Sequence, residues 1–392
     1  MNFWQLLKAS LYCFKIKLVI KIYNMSYKNI YVAATSQHVG KTTSTLGLVS
    51  AFRNIGINVG YCKPVGQKYV LHNGLQVDKD VVLFADLLDF EPNPVIHSPV
   101  ILGAGATTDY LDHPENYQYS ANIQHANHIL RGQHELVIFE GTGHPGVGAV
   151  VEMSNGDVAH LTQSGVIMVA EGGIGSTIDQ LSMCMEKFYA RDVPIIGVIL
   201  NKVLEEKRDR VEHYVAKWLD KLDIPLLGTM PFDKMMGFPL LYTIMESVNG
   251  NAVYNADRLY NMVEGFIAGS LISADEMAGK NENLLLVVGV TRLDLAIDDT
   301  RKVMEDLKWE NPPFSGIIAT GYGALSQGTI DFVQKYRIPL IHTMLETYGA
   351  VVKIARIEVK INQQTPWKVK RAIEMIENNI NLDLILEKSK LF

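Results

Sequence analysis

Short unbroken apolar runs alternate along this chain with longer stretches in which apolar residues recur at helical spacing. The runs are Asn29–Ala34 (NIYVAA), Val59–Val65, Leu136–Glu140 (LVIFE), Gly165–Ala170 (GVIMVA) and Ile195–Leu200 (IIGVIL), each bounded by turn-forming residues. Such runs mark strands covered on both faces, as in a parallel sheet. Helical spacing predicts helices over Lys41–Asn54, Thr177–Tyr189 and Lys207–Leu222. The strict alternation predicts a doubly wound, mainly parallel α/β domain. A polar break, Glu276–Asn283 (EMAGKNEN), precedes a second series: LLLVVGV from Leu284, a helix near Thr300–Leu307, GIIAT from Gly316 and PLIHT from Pro339. It predicts a boundary between a first domain over 26–275 and a smaller α/β domain over 281–392.

Composition narrows the classes. The 392 residues carry 36 Lys plus Arg against 42 Asp plus Glu, a net charge of −6, with 48% hydrophobic and 20% charged residues. These are globular values, and the acidic balance argues against bulk nucleic-acid binding. Cys13, Cys62 and Cys184 lie far apart, forming neither a disulfide framework nor a metal-binding pair, as expected of a reduced, cytoplasmic chain. Residues 1–25 are apolar and basic, with Lys8, Lys15, Lys17 and Lys21. Their apolar runs are too short to span a bilayer, so no stable membrane span is expected. Met25 opens Met-Ser-Tyr-Lys just before the first strand, and the leader is read as upstream sequence from a misassigned start; an interfacial helix is the alternative.

The chemistry concentrates after the first strand. Ala34-Thr-Ser-Gln-His-Val-Gly-Lys-Thr-Thr43 lies between a buried strand and a helix, the setting of a phosphate-binding loop. Thr35 stands where the usual pattern opens with glycine, but Gly40, Lys41 and Thr42 are intact. Gly40 lets the backbone approach phosphate, and the helix N-terminus offers unpaired N–H groups. Lys41 would reach the β- and γ-phosphates, and Thr42 would bind Mg²⁺. A Gly-Lys-Thr triplet also arises on ordinary turns, but a buried strand before it and a helix after it set this one apart. The remaining candidate nucleotide contacts are Thr35, Gln37, His38, Val39 and Thr43. Lys63 falls at the end of a parallel strand, where ligands of open α/β sheets bind, and is otherwise a surface lysine. Glu140 closes an apolar run, so its carboxylate needs a partner such as a cation, and it is a hard oxygen ligand for Mg²⁺.

Four segments taken together resemble dethiobiotin synthetase: the loop Thr35–Thr42, Tyr61-Cys-Lys-Pro-Val65, Phe139-Glu-Gly-Thr-Gly143 and Gly197–Val203 (GVILNKV). They follow the family order from about Tyr27 to Asp233. The resemblance extends to P-loop proteins similar to that synthetase, including the N-terminal region of long phosphotransacetylases. It implies ATP and Mg²⁺ as cofactors, Lys41 and Lys63 as catalytic residues, and Thr42, Asp80 and Glu140 as metal ligands. Lys63 would face the γ-phosphate and an acidic substrate, and Asn201 would meet the adenine edge. Asp78 is the rival of Asp80, both also reading as helix N-terminal acids, and Asn201 also reads as a turn or cap residue. Residues Leu284–Leu386 resemble the domain named for dispersed Asp-Arg and Thr-Gly-Gly (DRTGG), with Thr291-Arg292 and Thr320-Gly321-Tyr322 in variant form.

The Gly-rich segment Gly141–Gly148, carrying His144, departs from the synthetase, which holds its diamine with other residues there. His144 is read either as an acid/base or ligand contact or as a solvated loop histidine. His125-x-x-His128 lacks further metal ligands at sensible spacing and reads as surface or core. Two classes of function follow. One is an ATP-dependent ligase or ATPase acting on an unidentified small-molecule substrate. The other is a nucleotide-sensing module that sets the position of a regulated protein or domain. A homodimer fits either. No acetyltransferase segment is recognisable, so phosphate acetyl transfer is not expected.

Overall fold

A computed structural model describes residues 29–269, 283–357, 359, 361–362 and 364–389. The leader over 1–25 lies outside these residues, as does all of the polar break except Asn283. The described residues form two compact units, one made of those up to 232 and from 361 on, the other of those between 233 and 360.

The sheet of the first unit has six parallel strands: β1 (Asn29–Ala34), β2 (Val59–Cys62), β3 (Leu136–Glu140), β4 (Gly165–Glu171), β5 (Ile195–Val203) and β6 (Leu226–Pro231). Their order is β6-β5-β4-β1-β3-β2. β1 is therefore central, and all six of its residues are buried, as expected of a strand with helices on both faces. The chain leaves β1 toward β2 on one side and later returns to β4 on the other. This reversal of strand order opens a crevice at the C-terminal end of β1.

Helix α1 (Lys41–Asn54) follows β1 over the expected residues, and every residue from Ser44 to Phe52 is buried. A helix buried all round needs cover on its outer side. That cover is a helix from the far end of the chain, Pro366–Asn379, whose Ala372 and Ile376 are fully buried. A Cβ at Gly47 would collide with Ile376 and with the Ala372 carbonyl, so glycine lets the two helices approach. Asn54 Nδ2 donates to Glu377 Oε1 at 2.7 Å, and the Asn381 N–H donates to the Leu227 carbonyl at 2.8 Å. The expected domain over 281–392 is corrected accordingly. The helices after residue 361 belong with the first unit, and the second unit already starts at 233, ahead of the polar break.

The predicted strand Val59–Val65 is also revised: β2 ends at Cys62, and Val65–Gly66 pairs with Val100–Ile101 in a separate two-stranded sheet. Pro64 has no N–H to extend the ladder, and the Lys63 N–H turns to the His97 carbonyl at 2.8 Å. The resulting bend sets Lys63 at the sheet edge.

The second unit has a five-stranded sheet of β7 (Asn251–Tyr254), β8 (Gly265–Ala268), β9 (Leu284–Gly289), β10 (Phe314–Thr320) and β11 (Leu340–Thr343), ordered β7-β11-β10-β9-β8. β7 is antiparallel and the others are parallel. Its two faces bury separate cores, one around Leu286, Ile317 and Phe332 and the other around Leu241, Leu285 and Ile341.

Candidate nucleotide and metal site

Neighbouring strand ends assemble the site. β1 runs into the loop Thr35–Gly40, whose glycine adopts a left-handed φ of 99° directly before α1. A Cβ at that position would overlap the Asn201 side chain, so the close approach as well as the φ requires glycine. Gln37 and His38 are exposed on the loop, Val39 is buried, and Lys41, Thr42 and Thr43 are half-buried at the helix start. The Thr35 hydroxyl is buried without a hydrogen-bond partner among the described residues.

Glu140, fully buried at the end of β3, is the hub. Its Oε1 accepts from Thr42 Oγ1 at 2.7 Å and from Lys63 Nζ at 3.0 Å, and its Oε2 accepts from Tyr61 OH at 3.0 Å. Lys63 Nζ also donates to Asp80 Oδ2 at 2.8 Å. Burial alone would lower the Lys63 ammonium, but Asp80, Glu140 and Asp78 outweigh it and hold the group well above its ordinary range. Burial, then the charge of Glu140, pushes the Tyr61 phenol far up, so it stays a donor. Tyr61 stacks on Phe84, with ring centroids 3.6 Å apart, which fixes its hydroxyl under Glu140.

Between the rival aspartates the geometry separates two roles. Asp78 caps the helix Lys79–Leu88, accepting from the Asp80 N–H at 2.9 Å, and burial raises its carboxyl. Asp80, one residue into that helix, reaches the Lys63–Glu140 cluster. Lys41 turns the other way, its Nζ donating to the Gly143 carbonyl at 3.1 Å. This contact brings the Gly141–Gly148 loop against the phosphate loop. His144 is exposed there, with Nδ1 accepting from the Gly146 N–H at 3.2 Å.

Two residues that sequence reasoning missed brace this loop. Buried Asn155 donates from Nδ2 to the Thr142 and His144 carbonyls at 2.9 and 2.8 Å, while its Oδ1 accepts from the Thr142 N–H at 3.0 Å. The Tyr31 hydroxyl donates to the same oxygen at 2.6 Å. In the sequence Asn155 is visible only as part of a helix start, Ser154-Asn-Gly-Asp157, which forms a capping box. Tyr61 carried a better signal, standing two residues before Lys63.

The donor set fits a magnesium nucleotide. Thr42, Glu140 and Asp80 offer hard oxygens, and the left-handed glycine before a helix N-terminus suits phosphate. Among the described residues no group of three or more His, Cys, Asp and Glu could hold a metal. Magnesium needs no such cage, since it binds through one or two carboxylates, phosphate oxygens and water.

Parallel strands, an intact Gly-Lys-Thr at the head of α1 and ligand groups at the strand ends define the fold of a P-loop NTPase. Residues 28–239 match the family described as an AAA domain, and with more than half its length matched the chain belongs to that family, a dethiobiotin synthetase-like P-loop group. The chain is similar to phosphate acetyltransferase of Synechocystis sp., at 20% identity over 378 residues, covering 92% of this chain and 52% of that protein. It is also similar to cobyric acid synthase of Clostridium perfringens, at 25% identity over 233 residues, covering 53% of this chain and 47% of that protein. It thus spans about half the length of the curated relatives it matches. Among solved structures, the MinD cell division protein of Aquifex aeolicus aligns with 52% of this chain and 82% of its own at 15% identity, with a TM-score of 0.35. A likeness at that score carries no functional argument. No described helix is long and apolar enough to cross a membrane.

Proposed function

We propose that the first unit is a magnesium-dependent ATPase site of dethiobiotin synthetase type. The observation that carries this reading is the chain of contacts Thr42–Glu140–Lys63–Asp80, which joins the phosphate loop to two carboxylates and a buried ammonium. Gly40 to Thr43 would hold the phosphates, with Lys41 facing the β- and γ-phosphates. Thr42, Asp80 and Glu140 would hold Mg²⁺, directly or through water, and the ion would offset the charge of the phosphates. Lys63 would neutralise the transferring phosphoryl group and meet an acidic small-molecule substrate. In this reading the protein works in the cytoplasm, and the DRTGG-like segment from Leu284 on, most of it in the second unit, responds to the nucleotide.

A second reading, nucleotide sensing with little turnover, is favoured by Lys63 itself. Its ammonium already bridges Asp80 and Glu140, neutralising the carboxylates that a catalytic ion would use. The similarity to phosphate acetyltransferases across nearly the whole chain is compatible with such a module.

Calorimetric titration with MgATP tests the site, and phosphate release tests turnover. Lys41→Ala should weaken MgATP binding by at least about tenfold, through loss of a charge-assisted contact. Unchanged affinity would sink the assignment. Tight binding with no phosphate release, with or without amines and bicarbonate, would leave the sensing reading in its place.

A further inference from the structure

We propose that the second unit carries a binding site of its own for a small aromatic anion, a flat ring bearing one phosphate or carboxylate group. The site is built only from residues of the second unit and does not depend on the nucleotide reading of the first. Two helices that pack into the same core, Leu293–Leu307 and Gln327–Lys335, flank an open cavity of about 450 Å³. That size lies within the range of about 300–1,000 Å³ typical of small-molecule sites. Each helix is followed by an aromatic residue whose backbone returns to the last turn. Lys308 is left-handed, φ 54°, and the Trp309 N–H donates to the Met304 carbonyl at 2.8 Å, the wrap of a helix C-cap. The Tyr336 N–H donates to the Phe332 carbonyl at 3.1 Å, and the two rings have centroids 5.0 Å apart. Phe332 is buried and Trp309 and Tyr336 are half-buried, so the cavity has an aromatic floor.

Cations stand over this floor. The Arg301 guanidinium carbon lies 5.4 Å from the Phe332 ring centre, and Lys335 Nζ lies 4.8 Å from that of Tyr336. Arg301 is anchored there by donating to Asp298 Oδ1 at 2.9 Å. Exposed Lys308 completes the set, and neither lysine has an ion-pair partner among the described residues. Glu305 and Asp331 also line the cavity, and Asp331 already accepts from Gln327 Nε2 at 2.8 Å. Three cations against two carboxylates leave one net positive charge, which suits a single anionic group better than a polyphosphate. Neither half of such a ligand suffices by itself. Exposed cations hold a bare anion weakly in water, and an uncharged ring leaves the lysines unused. When the two are joined, the ring covers Trp309 and Tyr336 while its anionic group meets Lys308 or Lys335.

Calorimetry on the full chain tests the site with naphthyl phosphate, naphthoate and AMP as probes, and with naphthol and inorganic phosphate as the separate halves. Naphthyl phosphate should bind, with each half at least about tenfold weaker. Replacing both lysines, Lys308→Gln together with Lys335→Gln, should weaken it at least about tenfold at an unchanged melting temperature, because both side chains are exposed. Trp309→Leu should weaken it by a similar factor, through loss of the stacking surface. Lys41→Ala, at the phosphate loop of the first unit, should leave the affinities for naphthyl phosphate and AMP unchanged. Within that result, AMP binding tighter than naphthyl phosphate makes the source a nucleotide, and naphthoate binding as tightly as naphthyl phosphate makes it an aryl acid. Failure of all three aromatic anions to bind overturns the proposal, as does binding that survives the double lysine substitution. Binding lost in Lys41→Ala overturns it too, since the probe would then sit at the phosphate loop.

Discussion

The two large, mainly parallel sheets of this chain present their C-terminal edges very differently. At the edge of the first, Lys63 and Glu140 are buried and joined, with buried Asp78 beside them. At the edge of the second, the corresponding positions carry neutral hydroxyls: Thr320 pairs with Thr347 at 2.7 Å, and Thr343 donates to the Val248 carbonyl at 2.7 Å. Among the described residues of the second unit, no charged side chain is buried. Burying an ion costs several kcal/mol unless partners and hydrogen bonds compensate it. Keeping carboxylates and an ammonium buried at the first edge supports the proposal that the chemistry lies there. The hydroxyl edge closes on itself, with Gly321 accepting from or bonding to neighbours on both sides: its N–H goes to the Thr343 and Leu345 carbonyls, and its carbonyl meets His342 Nε2 at 2.8 Å.

Removing one charge at the first edge gives the largest expected effect. Lys63→Met should destabilise the chain by about 3–5 kcal/mol, because Glu140 is left buried and unpaired. Denaturant melts of parent and variant measure it. A cost below about 1 kcal/mol would mean that the cluster does not set the two edges apart.

Glu140→Gln sharpens the comparison on the functional side. It keeps the shape and most hydrogen bonds but removes the charge, so phosphate release should fall about 100-fold while MgATP affinity changes only a few-fold. Equal turnover in parent and variant would make Glu140 structural. At the second edge, Thr320→Val should cost only about 0.5–1.5 kcal/mol, the ordinary value of a neutral hydrogen bond, and should leave MgATP affinity unchanged. A nucleotide defect in Thr320→Val would erase the distinction between the sheets.

The smallest effect concerns pH near the first edge. Burial pushes His97, whose carbonyl takes the Lys63 N–H, down to about 4. Its folded value lies below the unfolded one of about 6.5, so the neutral ring contributes stability above pH ~6.5 that is lost as pH falls toward ~4. Stability measured between those limits should therefore fall less steeply with acid in His97→Gln than in the parent. Identical slopes would show that His97 does not titrate differently on folding.

Much of this protein could be read from the order of its residues. Unbroken apolar runs located β1, β3, β4 and β5 because strands covered on both faces need no polar alternation, and the helix Lys41–Asn54 followed from its place directly after the first strand and its loop. The places of the Gly-Lys-Thr triplet, Lys63 and Glu140 were legible for the same reason: each lies within a few residues of a strand end. Other features needed the folded chain. That residues after 361 cover α1 depends on a contact between Gly47 and Ile376, which no local pattern encodes. The partition of Asp80 to the Lys63 cluster and Asp78 to a helix cap turns on a two-residue offset at the start of one helix. The hydrogen bonds of Asn201 to the Val39 carbonyl and of Asn155 to the Thr142 carbonyl form only when the fold brings those loops to them. Local sequence specifies which groups are available and the element that carries each one. Which of them meet, and at what distance, is set by long-range packing, because a hydrogen bond of about 3 Å between residues far apart in sequence exists only once the sheet has closed around it.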